Sequence, residues 1–261
     1  MCTLVLLRRP GHPWPLVLAA NRDEMADRPW RPPGRHWPDR PGIVGGRDDL
    51  AGGSWLAIND FGVIAAVLNR HGSLGPEPGK HSRGDLVLQA LDHRDASAAA
   101  TWLARRHAPD YRTFNMMVAD RQNAFWIRHA ADEPNAESRR PAIEAFEIPA
   151  GTSMLTARER NDPASPRIRA NLERFEAAKP PDPRAGRWGA WKRLLASRRF
   201  ARADGREAAM NIETDSGFGT VCSALIALPG PPQSARAEPA RPVWLFAAGP
   251  PDRAPFEAVE L

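Results

Sequence analysis

The chain predicts an α+β fold with mostly antiparallel sheets covered by helices. Three observations carry this: short β-prone runs come in pairs joined by turn residues, helix-patterned segments come in their own blocks, and no regular β-α-β alternation is present. No internal repeat, low-complexity tail or linker divides the 261 residues, so a single domain over 1–261 is expected.

The first pair is "CTLVLLRR" and "PLVLAANRDE", separated by the turn-rich "PGHPWP". A hairpin here sets the start of its first strand beside the end of its second, so Cys2 should neighbour Asn21, Arg22, Asp23 and Glu24. "RPWRPPGRHWPDRPG" follows, and its prolines lack the N–H that a central strand must donate. It reads as a structured loop or lid, and residues 30–42 are expected to border a pocket and set specificity. "SWLAINDFGVIAAVLNR" reads as a second hairpin turning at Asn59, Asp60, Phe61 and Gly62 and ending at Asn69. In "HSRGDLVLQALDH", Ser82 and Asp85 resemble an N-cap and capping box, with Leu86, Val87, Ala90 and Leu91 as the buried face. The Arg-Gly-Asp tripeptide is therefore a helix start.

A second helix is expected over 96–106, then strand, turn and strand in "FNMMVADRQNAFWIRH". "GTSMLTARERNDPASPRIRANLERF" carries a strand end, a proline-marked break and a helix from about Ser165. "WKRLLASRRFARADGR" places Trp191, Leu194 and Leu195 at helical spacing, which predicts an amphipathic helix with a solvated basic face. "GTVCSALIALP" and "PVWLFAAGPP" are two further apolar runs.

Composition narrows the function classes. The formal charge is +5, but 33 of the 36 basic residues are arginines spread along the chain, with neither a nucleic-acid motif nor interleaved aromatics. Nucleic acid is not an expected partner. No run approaches the ~20 apolar residues of a membrane span, and Leu4 to Leu7 is too short for a signal-peptide core. With only two cysteines, Cys2 and Cys222, there is no disulfide framework and no thiolate set for structural zinc, which fits a reducing cytoplasm. The seven histidines show no metal-binding spacing, and no GxSxG elbow occurs. No metal and no cofactor is expected.

Cys2 directly follows the initiator methionine. Removal of Met1, which a residue as small as cysteine permits, leaves a thiol and a free α-amine on one residue. With ordinary pKa values near ~8.5 and ~7.7–8.0, the pair holds a nucleophile and its own proton acceptor close to neutrality. The plain reading of the same residue is a small buried strand cysteine. Cys222, inside an apolar run, and Trp188 and Trp191 read as core.

Several motifs in order carry a resemblance over essentially the whole chain: "MCTLVLLRR", "LVLAANRDE", "GGSWLAINDFGVIAAVLNR", "SRGDLV", "FNMMVAD" and "GTVCSALIAL". The chain resembles the NRDE family, which includes the transport and Golgi organization 2 proteins. That family in turn resembles N-terminal nucleophile hydrolases of the choloylglycine hydrolase and penicillin V acylase type. The resemblance implies a four-layer αββα sandwich. It also implies Cys2 as nucleophile, Arg22 holding the thiolate by charge, Asp23 orienting the α-amine or substrate, and Asn69, with Asn115 as the weaker candidate, donating to the oxyanion. Two departures stand out. Those hydrolases place the arginine three positions before the aspartate, whereas Arg22 and Asp23 are adjacent and so point to opposite faces of a strand. They also use an arginine in a late strand, where this chain has Val221.

Two functions follow from the resemblance. One is an N-terminal-cysteine amidohydrolase cleaving an amide or thioester of a small or lipid-like acyl substrate. The other is a non-catalytic member of the same fold that binds or moves haem or acyl-CoA and other lipids.

Overall fold

In the computed structural model, residues 2–130, 142–231 and 240–261 are described. The chain divides into two compact units, one formed by Met1–Arg28 with Pro149–Leu261 and the other by Pro29–Ile148.

In the first unit, β1 (Thr3–Arg8) and β2 (Leu16–Met25) form the expected hairpin, with Thr3 opposite Asn21. Its turn passes through Gly11 at φ 81°, a left-handed conformation that glycine adopts without penalty. The second unit begins with β3 (Trp30–Gly34), and β4 (Ile43–Asp48) pairs with it. Residues 30–34 thus correct the expectation of a loop. The strand takes Pro32 and Pro33 because it lies at the sheet edge, where a missing N–H breaks no ladder bond, and the register shifts between Arg31 and Gly34.

β5 (Ser54–Asn59) and β6 (Ile64–Asn69) form the second hairpin. Helices α1 (Arg83–Ala90) and α2 (Ala96–Ala104) come next, then β7 (Phe114–Ala119), β8 (Ala124–His129) and β9 (Ile143–Glu147). The Ser82 side chain accepts from the Gly84 N–H, and Asp95 does the same for Ala98 at the head of α2. The sheet of this unit runs β3-β4-β5-β6-β7-β8-β9, a meander whose strands pair in sequence order. Both helices cover one face, packing Leu86, Val87, Ala99 and Leu103 with Ala65, Phe114, Met116 and Val118.

Returning to the first unit, β10 (Gly151–Leu155) pairs with β1. Then come α3 (Pro166–Ala177) and α4 (Gly189–Leu195). The basic segment after α4 continues as turns rather than as helix, with short 3-10 pieces at Arg202–Asp204 and Arg206–Ala208. β11 (Phe218–Leu228), β12 (Val243–Ala247) and β13 (Glu257–Ala258) complete a sheet ordered β10-β1-β2-β11-β12-β13, antiparallel throughout. Val5, Val17, Ala19, Leu225 and Ala227 on one face of it pack against Ile168, Phe175, Trp188, Trp191 and Leu195 from the two helices. Phe175 and Trp191 meet edge to face with ring centroids 5.3 Å apart. Both tryptophans Trp188 and Trp191 belong to this core, and Trp244 is buried nearby in sequence register with Ile226.

Candidate active site

The site is built where β1 starts and β2 ends. Cross-strand partners in an antiparallel pair share a face, and neighbours along a strand alternate. Thr3 opposite Asn21 therefore sets Thr3, Asn21 and Asp23 on the helix-covered face, together with Val5 and Ala19. One residue further, Cys2 comes alongside Arg22 on the reverse face, where Cys222 of β11 is paired with Arg22.

Cys2 is half-buried, and its thiol donates to the Asp23 carbonyl oxygen at 3.5 Å. Burial pushes the thiol above its ordinary pKa, and the Asp23 charge adds to this, while Arg22 pulls it down. Arg22 is itself buried, with its guanidinium 3.8 Å from the Glu24 carboxylate. Cys222 is fully buried and pushed up to about 12 by the loss of solvent. A thiol in that state is inert, as its apolar surroundings in the sequence suggest.

The reverse side of the same strand holds a second set of groups. The Asp23 carboxylate accepts from Arg167 Nη1 at 2.7 Å through Oδ2 and from Thr220 Oγ1 at 2.7 Å through Oδ1. Arg167 and Asp23 side chains are both fully buried. The same guanidinium donates to Thr3 Oγ1 at 2.7 Å and to the Glu207 carbonyl at 3.2 Å. Thr220 has one proton to give, and because its oxygen accepts from the Ile212 N–H at 3.0 Å, that proton goes to Asp23. A bulge between Thr220 and Cys222 makes this possible. Residues two apart normally share a face; the extra residue, Val221, lets Thr220 meet Asp23 while Cys222 meets Arg22.

Asn21 completes the cluster as an anchor. Its amide donates to the carbonyls of Leu195 at 3.0 Å and Met210 at 2.9 Å, and Ser223 donates to its oxygen at 2.6 Å. The "NRD" of β2 is thus three residues with three jobs. Asn21 fastens the end of α4 to the sheet, Arg22 lies on the thiol's face, and Asp23 carries a buried charge pair.

Arg167 is the residue that sequence reasoning missed. It sits in the first turn of α3, where a cation opposes the helix dipole, so a carboxylate partner is needed to keep it there. A signal was present: 167, 168, 171 and 175 form the buried stripe of α3, and two of these are Arg167 and Asn171. A charged residue on an apolar stripe points to a buried partner, but nothing in the string names which one.

The remaining two candidates belong to the other unit. Asn69 closes β6, half-buried and opposite Phe114. Asn115 on β7 is fully buried and opposite Leu68 and Arg128. The pleat sends their side chains to opposite faces of one sheet, Asn69 to the face that α1 and α2 cover. Asn115 is the one with a fixed orientation: its Oδ1 accepts from Arg70 Nη1 at 2.9 Å and from Trp126 Nε1 at 3.0 Å. Two donors on the oxygen fix which way the amide is turned. Among the described residues no group of three or more His, Cys, Asp or Glu side chains is arranged to hold a metal ion. No helix of the described residues is long and apolar enough to cross a membrane.

Comparison with solved structures finds proteins of similar fold. The N-acylethanolamine-hydrolyzing acid amidase ortholog of Caenorhabditis elegans superposes with a TM-score of 0.55 at 12% identity, covering 90% of this chain and 95% of that one. The C2A mutant of the conjugated bile acid hydrolase from Clostridium perfringens gives 0.51 at 10% identity, covering 100% and 97%. At such identities the likeness is one of fold: mixed α and β with antiparallel sheets. Among curated sequences, the Transport and Golgi organization 2 homologs of Mus musculus and Bos taurus are each 34% identical over 110 residues, 40% of this chain. The match spans 38% of the length of those relatives. The family model described as Transport and Golgi organisation 2 matches residues 1–178, a stretch that contains Cys2, Asn21, Arg22, Asp23 and Arg167. The chain belongs to the Transport and Golgi organisation 2 family.

Proposed function

We propose that the protein is a cysteine hydrolase of the N-terminal nucleophile type, cleaving an amide or thioester bond of a small or lipid-like acyl substrate once Met1 is removed. The observation that carries this reading is the built surroundings of residue 2: a half-buried thiol beside Arg22, with the Asp23 carboxylate held on the same strand by Arg167 and Thr220.

The chemistry follows from the thiol's environment. Burial raises its pKa, so at neutral pH it is protonated and needs a base at hand. The α-amine of a Cys2 freed of Met1 is that base. It takes the thiol proton as sulfur attacks the acyl carbonyl, then delivers that proton to the departing amine or thiol, leaving a thioester on Cys2. Water attacks the thioester with the amine again accepting a proton, the acid leaves, and the thiol is restored. Arg22 stabilises the sulfur anion, and Asp23 orients the amine.

The test is intact mass followed by turnover. A chain that has lost Met1, is alkylated once by iodoacetamide at Cys2, and hydrolyses one of a panel of N-acyl amino acids, penicillin V or acyl-CoA thioesters supports the reading. Turnover by Cys2→Ala equal to that of the parent on every substrate overturns it, as does retention of Met1 in the native host.

A further inference from the structure

The buried pair on the rear of β2 raises a question of charge. In the reading above Asp23 orients the α-amine of Cys2, and a carboxylate of uncompensated charge in that role would hold the amine as ammonium, which cannot act as a base. From the 2.7 Å contact between the fully buried Arg167 and Asp23 side chains, we infer that Arg167 is a positioning residue that cancels the charge of Asp23, so that the α-amine of Cys2 sheds its proton near neutral pH. This inference rests on the reading of Cys2 as the first residue.

The geometry argues against a role in packing alone. A guanidinium in the first turn of a helix, fully buried, is an expensive way to fill space, and apolar side chains of like volume generally serve stability as well or better. Arg167 Nη1 bridges Asp23 Oδ2 and Thr3 Oγ1, so it joins the residue after Cys2 to the carboxylate across the hairpin. Thr220 donates its only proton to the other carboxylate oxygen, which fixes the carboxylate plane.

Other charged and titratable groups face this end of the hairpin. β2 contributes Arg22 and Glu24, which lie 3.8 Å apart, and β11 contributes Cys222. Of these, Arg22 acts on the thiol and is itself offset by Glu24, whereas the contact with Arg167 is the one that offsets the charge of Asp23.

The test uses the full chain beginning at Cys2 and needs no turnover, so its failure is separate from absence of hydrolysis. The pH dependence of reductive methylation of the α-amine and of iodoacetamide alkylation of Cys2 is followed by peptide mass. Arg167→Gln should move the amine midpoint up by about one pH unit or more, Asp23→Asn should move it down, and Asp23→Asn with Arg167→Gln should return it to the parent value. Arg167→Lys should keep it. Continued protection of Cys222 from alkylation reports that each variant is folded. If one single variant is unfolded, the other is compared with the double: midpoints that differ in the stated sense support compensation. Superimposable profiles of a folded single variant, the double and the parent overturn it.

Discussion

Cys222 and Cys2 share a face beside Arg22, the first fully buried and the second half-buried. With its thiol pushed up to about 12, Cys222 should resist iodoacetamide at pH 8 in the native protein and react after denaturation; modification of both thiols at equal rates in the native state contradicts the burial. Asp23 should be sensitive in a different way. Asp23→Ala strands the Arg167 guanidinium in the interior, and the expected loss is about 3–5 kcal/mol, read as a lower denaturant midpoint. At this scale the sequence displayed the candidates but not their partners. Cys2 and the 21–24 cluster followed from hairpin geometry, whereas Arg167 lies 144 residues from Asp23 along the chain. A local string carries no information about a contact at that separation.

Elements were legible where a local signal stands alone. Ser82, with acceptor side chain and helix-compatible followers, marks the head of α1. The third strand was hidden because proline in "RPWRPPG" argues against a central strand, and whether a strand is central or at an edge depends on its neighbours. Close approach was hidden as well. Gly53, just before β5, lies against the Gly84 backbone of α1, and a Cβ built there would be 2.5 Å from the Gly84 carbonyl carbon. Gly53→Ala should therefore cost about 1–3 kcal/mol, measured by thermal or denaturant unfolding; a change within experimental error would show that α1 shifts freely against β5. The hairpin turn at 60–63 is fastened similarly. Asn59 accepts from the N–H groups of Phe61 and Val63 and donates to the Leu91 and His93 carbonyls, so Asn59→Ala should cost on the order of 2–3 kcal/mol.

For the molecule as a whole, acid is the informative stress. His129 is buried against Phe114, and burial holds its pKa below the usual histidine value. The unfolded chain thus binds a proton that the folded one refuses, so this contribution is complete above the unfolded value near ~6.5 and is lost as pH falls below it. Asp252 and Glu213 are held below the usual carboxylate range, the first against desolvation by bonds from Arg198 and Asn211, the second by Arg253 and Arg198. Their contribution is present above ~4 and disappears as pH drops through the folded values. Denaturant midpoints should fall in two stages from pH 8 to pH 3, and His129→Gln should abolish the first; a single stage in the parent protein would exclude the histidine contribution. The fold class was legible at this scale because paired β-runs and blocks of helix pattern are local, and the sheet orders obey them. Division into Met1–Arg28 with Pro149–Leu261 and Pro29–Ile148 had no compositional boundary to announce it.

By itself the sequence determined the α+β class, the two early hairpins, the helix start at Ser82, the second helix from Ala96, and the neighbourhood of Cys2 with 21–24, all consequences of period, turn chemistry and short-range closure. Tertiary structure alone decided that Thr220 and Arg167 meet Asp23, that Arg22 lies on the thiol's face with Cys222, and that Asn69 and Asn115 part to opposite faces. The physical reason is register. A one-residue bulge or a pleat reverses which face a side chain occupies, and that choice is made by pairing between distant strands rather than by any residue's own preference.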